Sequence, residues 1–277
     1  RDLRPDPALI IKDVVPALLV ILTGDEMPSV VSSATMALAK IGAESCGERA
    51  GEVEAALRAL PERGNQEVVE TAALALGLFG RSGCAMDLAA LVGNTEAGQK
   101  LVGGGKVSTR TRAFAAYGLA QLARRNENTE IARFTAHHLV AAVDARKAPD
   151  EVRLACLNAL AVVPLSSAAY VEAGGVRVAP SSSRSALVEW LAERCKDSDL
   201  SDRVRAHAPR TPALHALGGD KSLREDATGA LVEPPAHGRT HPELRHGPRL
   251  GVGLLRHAGG APALARAPRL PPPRGAH

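Results

Sequence analysis

The stretch that decides the fold is residues 67–80, Glu-Val-Val-Glu-Thr-Ala-Ala-Leu-Ala-Leu-Gly-Leu-Phe-Gly. Its large apolar residues recur with the three- and four-residue spacing that puts side chains on one face of an α-helix. That face comprises Val69, Ala72, Ala73, Leu76 and Phe79. The glycine at position 80 is typical of a helix C-terminus. The stretch therefore predicts an amphipathic helix that ends at Gly80.

The same pattern occurs in three other places along the chain. Residues 31–42, 69–80, 110–121 and 152–163 align without gaps, and their starts are separated by 38, 41 and 42 residues. Alanine is the fourth residue of every copy, which predicts a close helix contact because a larger side chain would overpack it. A repeat near forty residues is typical of stacked helix pairs.

Each copy follows a segment that can form an antiparallel partner helix. These segments are residues 8–22, 52–60, 85–92 and 129–145. A helix at residues 183–196, with the start of another at 203–206, predicts part of a fifth pair. We therefore expect an all-α fold over residues 7–206, a right-handed solenoid of antiparallel helix pairs.

Candidate caps support these boundaries. Side-chain oxygens that can accept helix N–H groups precede three of the copies, and glycines end two of them. The predicted N-caps are Ser29, Ser108 and Asp150, and the predicted C-terminal glycines are Gly42 and Gly80.

Residues 67–80 and 150–160 resemble the second helix of a HEAT repeat, and the latter has the Val-Arg pair typical of that family. The resemblance covers about residues 7–206 and is closest to the short repeats of bacterial HEAT and phycobilisome-lyase-like proteins. It implies that the second helices line the inner surface of the solenoid, where an extended groove would bind a partner.

Composition agrees with close helix packing. Hydrophobic residues make up 45% of the chain and aromatic residues 2%, so the core must consist of Ala, Leu and Val. The apolar run 8–22 is too short for a membrane span and contains charges. The cysteines lack the spacing of a zinc site, and we expect idle thiols of a reducing compartment. They are Cys46, Cys84, Cys156 and Cys195.

The character of the sequence changes near Arg205. From there on the chain has 11 basic and 5 acidic residues, against 23 and 25 before it, and it contains eleven of the nineteen prolines. We expect residues 207–277 to be a largely disordered tail. A second explanation stays open, because a GC-rich gene translated out of frame also yields mostly Arg, Ala, Gly, Pro and His.

Motifs for catalysis or cofactor binding are weak. Lys106 follows three glycines, but the flanking residues do not match a phosphate-binding loop. His137 and His138 are adjacent, so a helix would point them about 100° apart, which does not suit one metal ion. We therefore expect no catalytic site, cofactor or metal.

Four cations are candidates for partner binding: Lys106, Arg110, Arg112 and Arg153. They lie near the starts of the third and fourth second-helices, where they would form part of a ridge for an acidic partner. For Arg153 a structural role is the stronger alternative, with its guanidinium paired to a carboxylate of a neighbouring turn. Residues 93–107 and 164–182 are predicted loops that interrupt the array.

The leading functional hypothesis is a non-catalytic module for protein–protein interaction or scaffolding, which binds a protein or peptide in the inner groove and does not enter a membrane. Two alternatives stay open. One is a lyase-like HEAT protein that holds a chromophore or cofactor, and the other is nucleic-acid association through the basic tail. The absence of a convincing signal peptide favours the cytoplasm, although a chain that starts at Arg1 is compatible with a missing signal segment.

Overall fold

The structure is a computed structural model that describes residues 6–24, 27–167, 179–217, 221–232 and 251. The described residues form helices and no strand. The α-helices are α1 (Pro7–Leu9), α2 (Val15–Thr23), α3 (Pro28–Cys46), α4 (Ala50–Arg63), α5 (Gln66–Phe79), α6 (Ala85–Gly93), α7 (Glu96–Leu101), α8 (Thr109–Arg125), α9 (Thr129–Asp144), α10 (Asp150–Leu160), α11 (Arg184–Lys196), α12 (Asp202–His207), α13 (Arg210–Leu217) and α14 (Lys221–Val232). The chain divides into two compact units, Arg1–Ala186 and Leu187–His277.

The first unit is a solenoid of helix pairs, which confirms the predicted all-α repeat fold. Helix α2 packs on α3, α4 on α5, α6 on α8, and α9 on α10. The second helices of these pairs also contact one another in the order α3, α5, α8, α10. They form one continuous layer, and we call its members the second helices.

The tightest point of this layer is the contact between α5 and α8. A Cβ atom at residue 77 would overlap the backbone of Gly118, and a Cβ atom at residue 118 would overlap the carbonyl oxygen of Ala73. Glycine is therefore required on both helices, because the two backbones touch directly. The repeat pattern predicts close contacts at alanines, and the structure has a still closer one at this glycine pair.

The predicted caps are confirmed in part. Ser108 caps α8, since its Oγ accepts a hydrogen bond of 3.1 Å from the Thr111 N–H, and Gly80 ends α5 with a φ of 90°. The assignments of Ser29 and Asp150 were wrong, because α3 begins at Pro28 and α10 follows Pro149. Pro28 is the first residue of α3, where its fixed φ suits a helix start, and Pro149 occupies the N-cap position of α10, so both helices begin earlier than expected.

Gly42 also differs from a simple C-cap. Its φ of 80° and ψ of 162° interrupt the helical geometry, yet α3 resumes after this kink and continues to Cys46. Asn65, which the sequence analysis did not select, caps α5 by accepting a hydrogen bond of 3.1 Å from the Val68 N–H.

The register predicted for the third copy was wrong by two residues. The predicted core residues Arg110 and Tyr117 are exposed, whereas Arg112 and Leu119 are buried. The buried stripe of α8 comprises Arg112, Ala115, Ala116, Leu119 and Leu122. Alanines occur on several faces of this helix, so hydrophobic spacing alone does not fix its rotation, and the contact at Gly118 does.

The first predicted loop, residues 93–107, contains a helix. Thr95 caps α7 by accepting a hydrogen bond of 3.3 Å from the Gly98 N–H. Gly98 is buried, and a Cβ atom there would overlap the carbonyl oxygen of Ala90 in α6. Gly98 therefore marks a close helix contact rather than a flexible loop. In the second predicted loop, residues 168–178 lie outside the described residues.

In the second unit, Trp190 of α11 is buried and lies 5.8 Å from the guanidinium carbon of Arg194. Helices α11 and α12 correspond to the segments 183–196 and 203–206 that were predicted to be helical, while their pairing stays a prediction. Within the predicted tail, α13 contacts α14. Pro212 lies in the first turn of α13, where proline is tolerated, and α14 contains none, so these two helices form despite the composition. Residues 233–250 and 252–277 lie outside the described part of the chain.

We predict that Gly77→Ala and Gly118→Ala each lower the free energy of unfolding of the full chain by about 1–3 kcal/mol or more, because the added methyl group must separate two packed backbones. Urea denaturation followed by circular dichroism measures this. The matched control is Gly51→Ala on α4, where a Cβ atom has open space, and it should change stability by no more than about 1 kcal/mol. Equal effects at all three positions would contradict the proposed contact.

Candidate functional site

The four predicted cations have different surroundings. Lys106 is exposed in the segment before α8, and no ion pair joins it to another described residue. The Arg110 side chain is 75% exposed, and its Nη2 lies 2.8 Å from Oε2 of Glu70 on α5. These two cations are accessible at the start of α8.

Glu70 is a buried carboxylate at the junction of α5 and α8. Its Oε1 accepts a hydrogen bond of 2.5 Å from Gln66 Nε2, which also lies 2.7 Å from Ser108 Oγ. The hydroxyls of Ser108 and Thr111 are 2.9 Å apart. This network compensates the desolvation of Glu70 and holds Arg110 against the N-terminal turns of two second helices.

Arg112 is not accessible to a partner. Its side chain is buried, and its Nε donates a hydrogen bond of 2.9 Å to the Val92 carbonyl near the end of α6. Burial lowers the pKa of Arg112 from its ordinary value, whereas the nearby Cys156 acts in the opposite direction. Arg112 therefore ties the two helices of its pair together.

Arg153 has the corresponding role in the next pair. Its Nε donates to the Val143 carbonyl at 3.1 Å, its Nη2 donates to the Ala145 carbonyl at 3.0 Å, and its Nη1 lies 3.5 Å from Asp150 Oδ1. The carbonyls at the end of α9 thus receive the cation, which also complements the helix dipole. The structure supports a structural role for Arg153, and the four cations do not form one ridge.

An apolar surface on the second helices was not predicted from the sequence. Each of these helices contacts its first helix and its neighbours in the layer, which leaves one side to solvent. We call this side of α3, α5 and α8 the free face. Its residues recur at helical spacing and are partly or fully exposed: Ser33, Met36 and Lys40 on α3, Thr71, Leu74 and Leu78 on α5, and Arg110, Phe114, Tyr117, Gln121 and Arg124 on α8.

The centre of the free face is apolar and aromatic. Tyr117 is 37% exposed, and Phe114, one turn earlier, is half-buried. Leu74 and Leu78 are half-buried on the neighbouring helix. The chain has only six aromatic residues, so two adjacent ones facing solvent are notable. The repeat alignment had assigned Phe114 and Tyr117 to the core, which concealed this signal.

Other surfaces of the described residues have fewer groups suited to binding or catalysis. A shallow groove of about 470 Å³ between α2 and α4 is lined mainly by apolar residues, including Leu19, Val20, Ala56 and Ala59. Within the described ranges, no group of three or more His, Cys, Asp or Glu residues is placed to hold a metal ion. No described helix is long and apolar enough to cross a membrane.

The cysteines are free thiols, and Cys46, Cys84 and Cys156 are buried as predicted for idle residues. Burial raises the pKa of Cys156 to about 12, although Arg112 opposes this rise. Burial and the Glu54 carboxylate likewise raise the pKa of Cys84 to about 12. A thiol with such a pKa is protonated at neutral pH and is a poor nucleophile.

The comparisons with solved structures find helical repeat proteins. A designed armadillo repeat protein in complex with the peptide (KR)4 is 17% identical, with 87% of this chain and 99% of that chain covered and a TM-score of 0.49. A crystallised engineered protein is 20% identical, with 88% and 98% covered and a TM-score of 0.47. No protein-family model and no curated protein matches. At these scores the likenesses carry no argument, and the helix contacts alone define the solenoid.

We predict that Arg112→Lys lowers the free energy of unfolding by about 1–3 kcal/mol, because a lysine keeps the charge but loses the guanidinium bond to the Val92 carbonyl. Urea denaturation measures the change. Lys106→Ala serves as the exposed control and should stay within about 0.5 kcal/mol of the parent. An unchanged stability of Arg112→Lys would show that this bond does not hold α6 to α8.

We predict that stability falls with decreasing pH through His138. Burial, and secondarily His137, lowers the pKa of His138 below 6.5. The unfolded chain then binds more protons than the native chain as the pH falls below about 6.5, so the free energy of unfolding decreases there. In His138→Gln this pH dependence should be weaker. His137→Gln keeps the burial, so more of the dependence should remain. Denaturation at pH 5, 6 and 7.5 distinguishes these outcomes.

Proposed function

We propose that the protein is a non-catalytic interaction or scaffolding module of the HEAT type, which binds a protein or peptide along the free face of its second helices. The observation that carries this proposal is the exposed Tyr117, with the half-buried Phe114 on the same helix and the half-buried Leu74 and Leu78 on the neighbouring helix α5. Large apolar side chains that share one surface indicate an interface more often than isolated ones do.

The chemistry of this face suits protein recognition. Tyrosine provides a large contact area with few rotatable bonds, and aromatic residues are enriched among the side chains that dominate binding energy. Tyr117 and Leu74 lie on helices that are locked together at the Gly77–Gly118 contact. The surface is therefore rigid before binding, which reduces the entropic cost of association.

Two of the sequence-predicted cations fit this proposal as flanking contacts. Arg110 belongs to the free face and is oriented by Glu70, and Lys106 is exposed two residues before the Ser108 cap. Both would contact a partner at the N-terminal ends of the second helices. Arg112 and Arg153 are left out of the proposal because their guanidinium groups bind backbone carbonyls.

The test is affinity capture with the full chain as bait, using a native lysate of the source organism. We expect the double variant Leu74→Ser/Tyr117→Ser to lose its specific partners at least about tenfold, because two central contacts are removed. The matched control is Met86→Ser on α6, a residue that is 67% exposed on a first helix. It removes a comparable exposed apolar side chain elsewhere and should retain the partners.

Thermal unfolding of each variant accompanies the capture, so that loss of binding is compared only among folded proteins. Equal recovery of the same partners by the double variant and the parent would contradict binding at the free face. The variant Lys106→Glu/Arg110→Glu separately tests the flanking cations, and unchanged yield and salt sensitivity would remove them from the proposal.

A further inference from the structure

We infer that the partner presents an acidic side chain beside an apolar one, and that Lys40, Arg124 and Arg125 bind this acidic group at the C-terminal end of the free face. We call these three residues the cationic rim. The inference rests on the proposed function, since it specifies the chemistry of the segment that the free face would bind.

The rim is continuous with the apolar centre. Arg124 lies two helical turns after Tyr117 on the same stripe of α8, with Gln121 between them. On α3, Lys40 lies one turn after Met36. A bound segment that packs apolar side chains on Tyr117 would thus place its neighbouring residues near Arg124, and a segment that continues across the layer to α3 would reach Lys40.

Arg125 crosses the ends of two neighbouring second helices. Its Cδ lies 3.4 Å from the position that a Cβ atom of Gly80 would occupy, and its Nη1 lies 2.9 Å from the corresponding position at Gly42. The side chain therefore extends over two residues that have no side chains of their own. This path carries the guanidinium from α8 past the end of α5 to α3, where Lys40 precedes Gly42 by two residues.

The charges of the rim are accessible to a binding partner. All three side chains are exposed, and no ion pair joins any of them to another described residue. Glu44 and Glu127 are the nearest exposed carboxylates along the chain, and neither pairs with the rim. At the opposite end of the free face, Arg110 is neutralised by Glu70. Lys106 is then the one unpaired cation near that end among the described residues, whereas the C-terminal end has three, so an acidic group gains most at the C-terminal end.

Cations near a helix C-terminus also complement the helix dipole. That role predicts an effect on stability alone, whereas the proposed role of the rim predicts an effect on binding.

Nucleic acid is a less suitable partner than an acidic peptide, because the affinity of a protein for nucleic acid comes from many phosphate contacts. Residues 1–204 contain slightly more acidic than basic residues. An acidic peptide, by contrast, would need only the three cations of the rim for its electrostatic contacts.

The experiment uses an array of synthetic peptides of about ten residues, the extended length that crosses three helices packed about 10 Å apart. Each peptide combines Leu or Tyr with Glu, Lys or Gln in varied order. The full chain is the probe, and an oligothymidylate of the same length is spotted beside the peptides. We expect Glu-containing apolar peptides to be bound at least about fivefold more strongly than their Gln counterparts at low salt, with a smaller ratio at high salt.

The variant Lys40→Glu/Arg124→Glu should lose this preference while it still binds Gln-containing peptides. The matched control is Lys12→Glu/Lys147→Glu, which changes the net charge equally at exposed positions outside the rim. Arg125→Gln tests the third cation with a smaller change. Thermal unfolding of every variant separates a stability effect from a binding effect.

The outcomes are distinct. Binding without a preference for Glu, or an equal preference in the rim variant, overturns the acidic partner and leaves the proposed function intact. Tighter binding of the oligothymidylate than of any peptide overturns it in favour of a nucleic acid. If no peptide binds more strongly to the parent than to Leu74→Ser/Tyr117→Ser, both the inference and the proposed function are wrong.

Discussion

The structure of the first unit depends on one steric constraint, the direct backbone contact between α5 and α8 at Gly77 and Gly118. Two helices that touch at glycine cannot rotate or slide without exposing this contact or forcing atoms together. The contact therefore fixes the orientation of α8. It turns Arg112 towards α6 and leaves Tyr117 facing solvent, so the same constraint determines which side chains serve the core and which serve the surface.

The arginines at the starts of α8 and α10 solve a second problem of this fold. The last carbonyls of a helix have no partner within it and lose water when the next helix packs against them. Arg112 and Arg153 donate to the carbonyls of Val92 and Val143 near the ends of the preceding first helices. Only a long side chain with several donors can reach across the pair and remain hydrogen-bonded, so these cations stabilise the pairs and are withdrawn from recognition.

How well each helix could be predicted depended on how clearly its sequence separates apolar from polar positions. The helix at 67–80 has distinct apolar and polar faces, and both its core residues and its end at Gly80 were predicted correctly. The helix at 109–125 has alanine on several sides, so its spacing fitted more than one rotation, and the chosen one placed Tyr117 in the core. Gly98 was misassigned for a related reason, since a glycine gives the same signal in a loop and at a close helix contact. The structure at such positions depends on the neighbouring helix, whose residues lie elsewhere in the sequence.

The free face follows from the same close packing. At the Gly77–Gly118 contact, α5 and α8 leave no space for an aromatic ring between their backbones, so Phe114 and Tyr117, which lie within one turn of Gly118, occupy the outer side of α8. Their position is thus explained by sterics, but their identity is not. A short polar residue would suit that side equally well for folding and would avoid an exposed apolar surface. The stability of the layer does not require aromatic residues there, so their presence supports the proposed role of this surface in contacting another molecule.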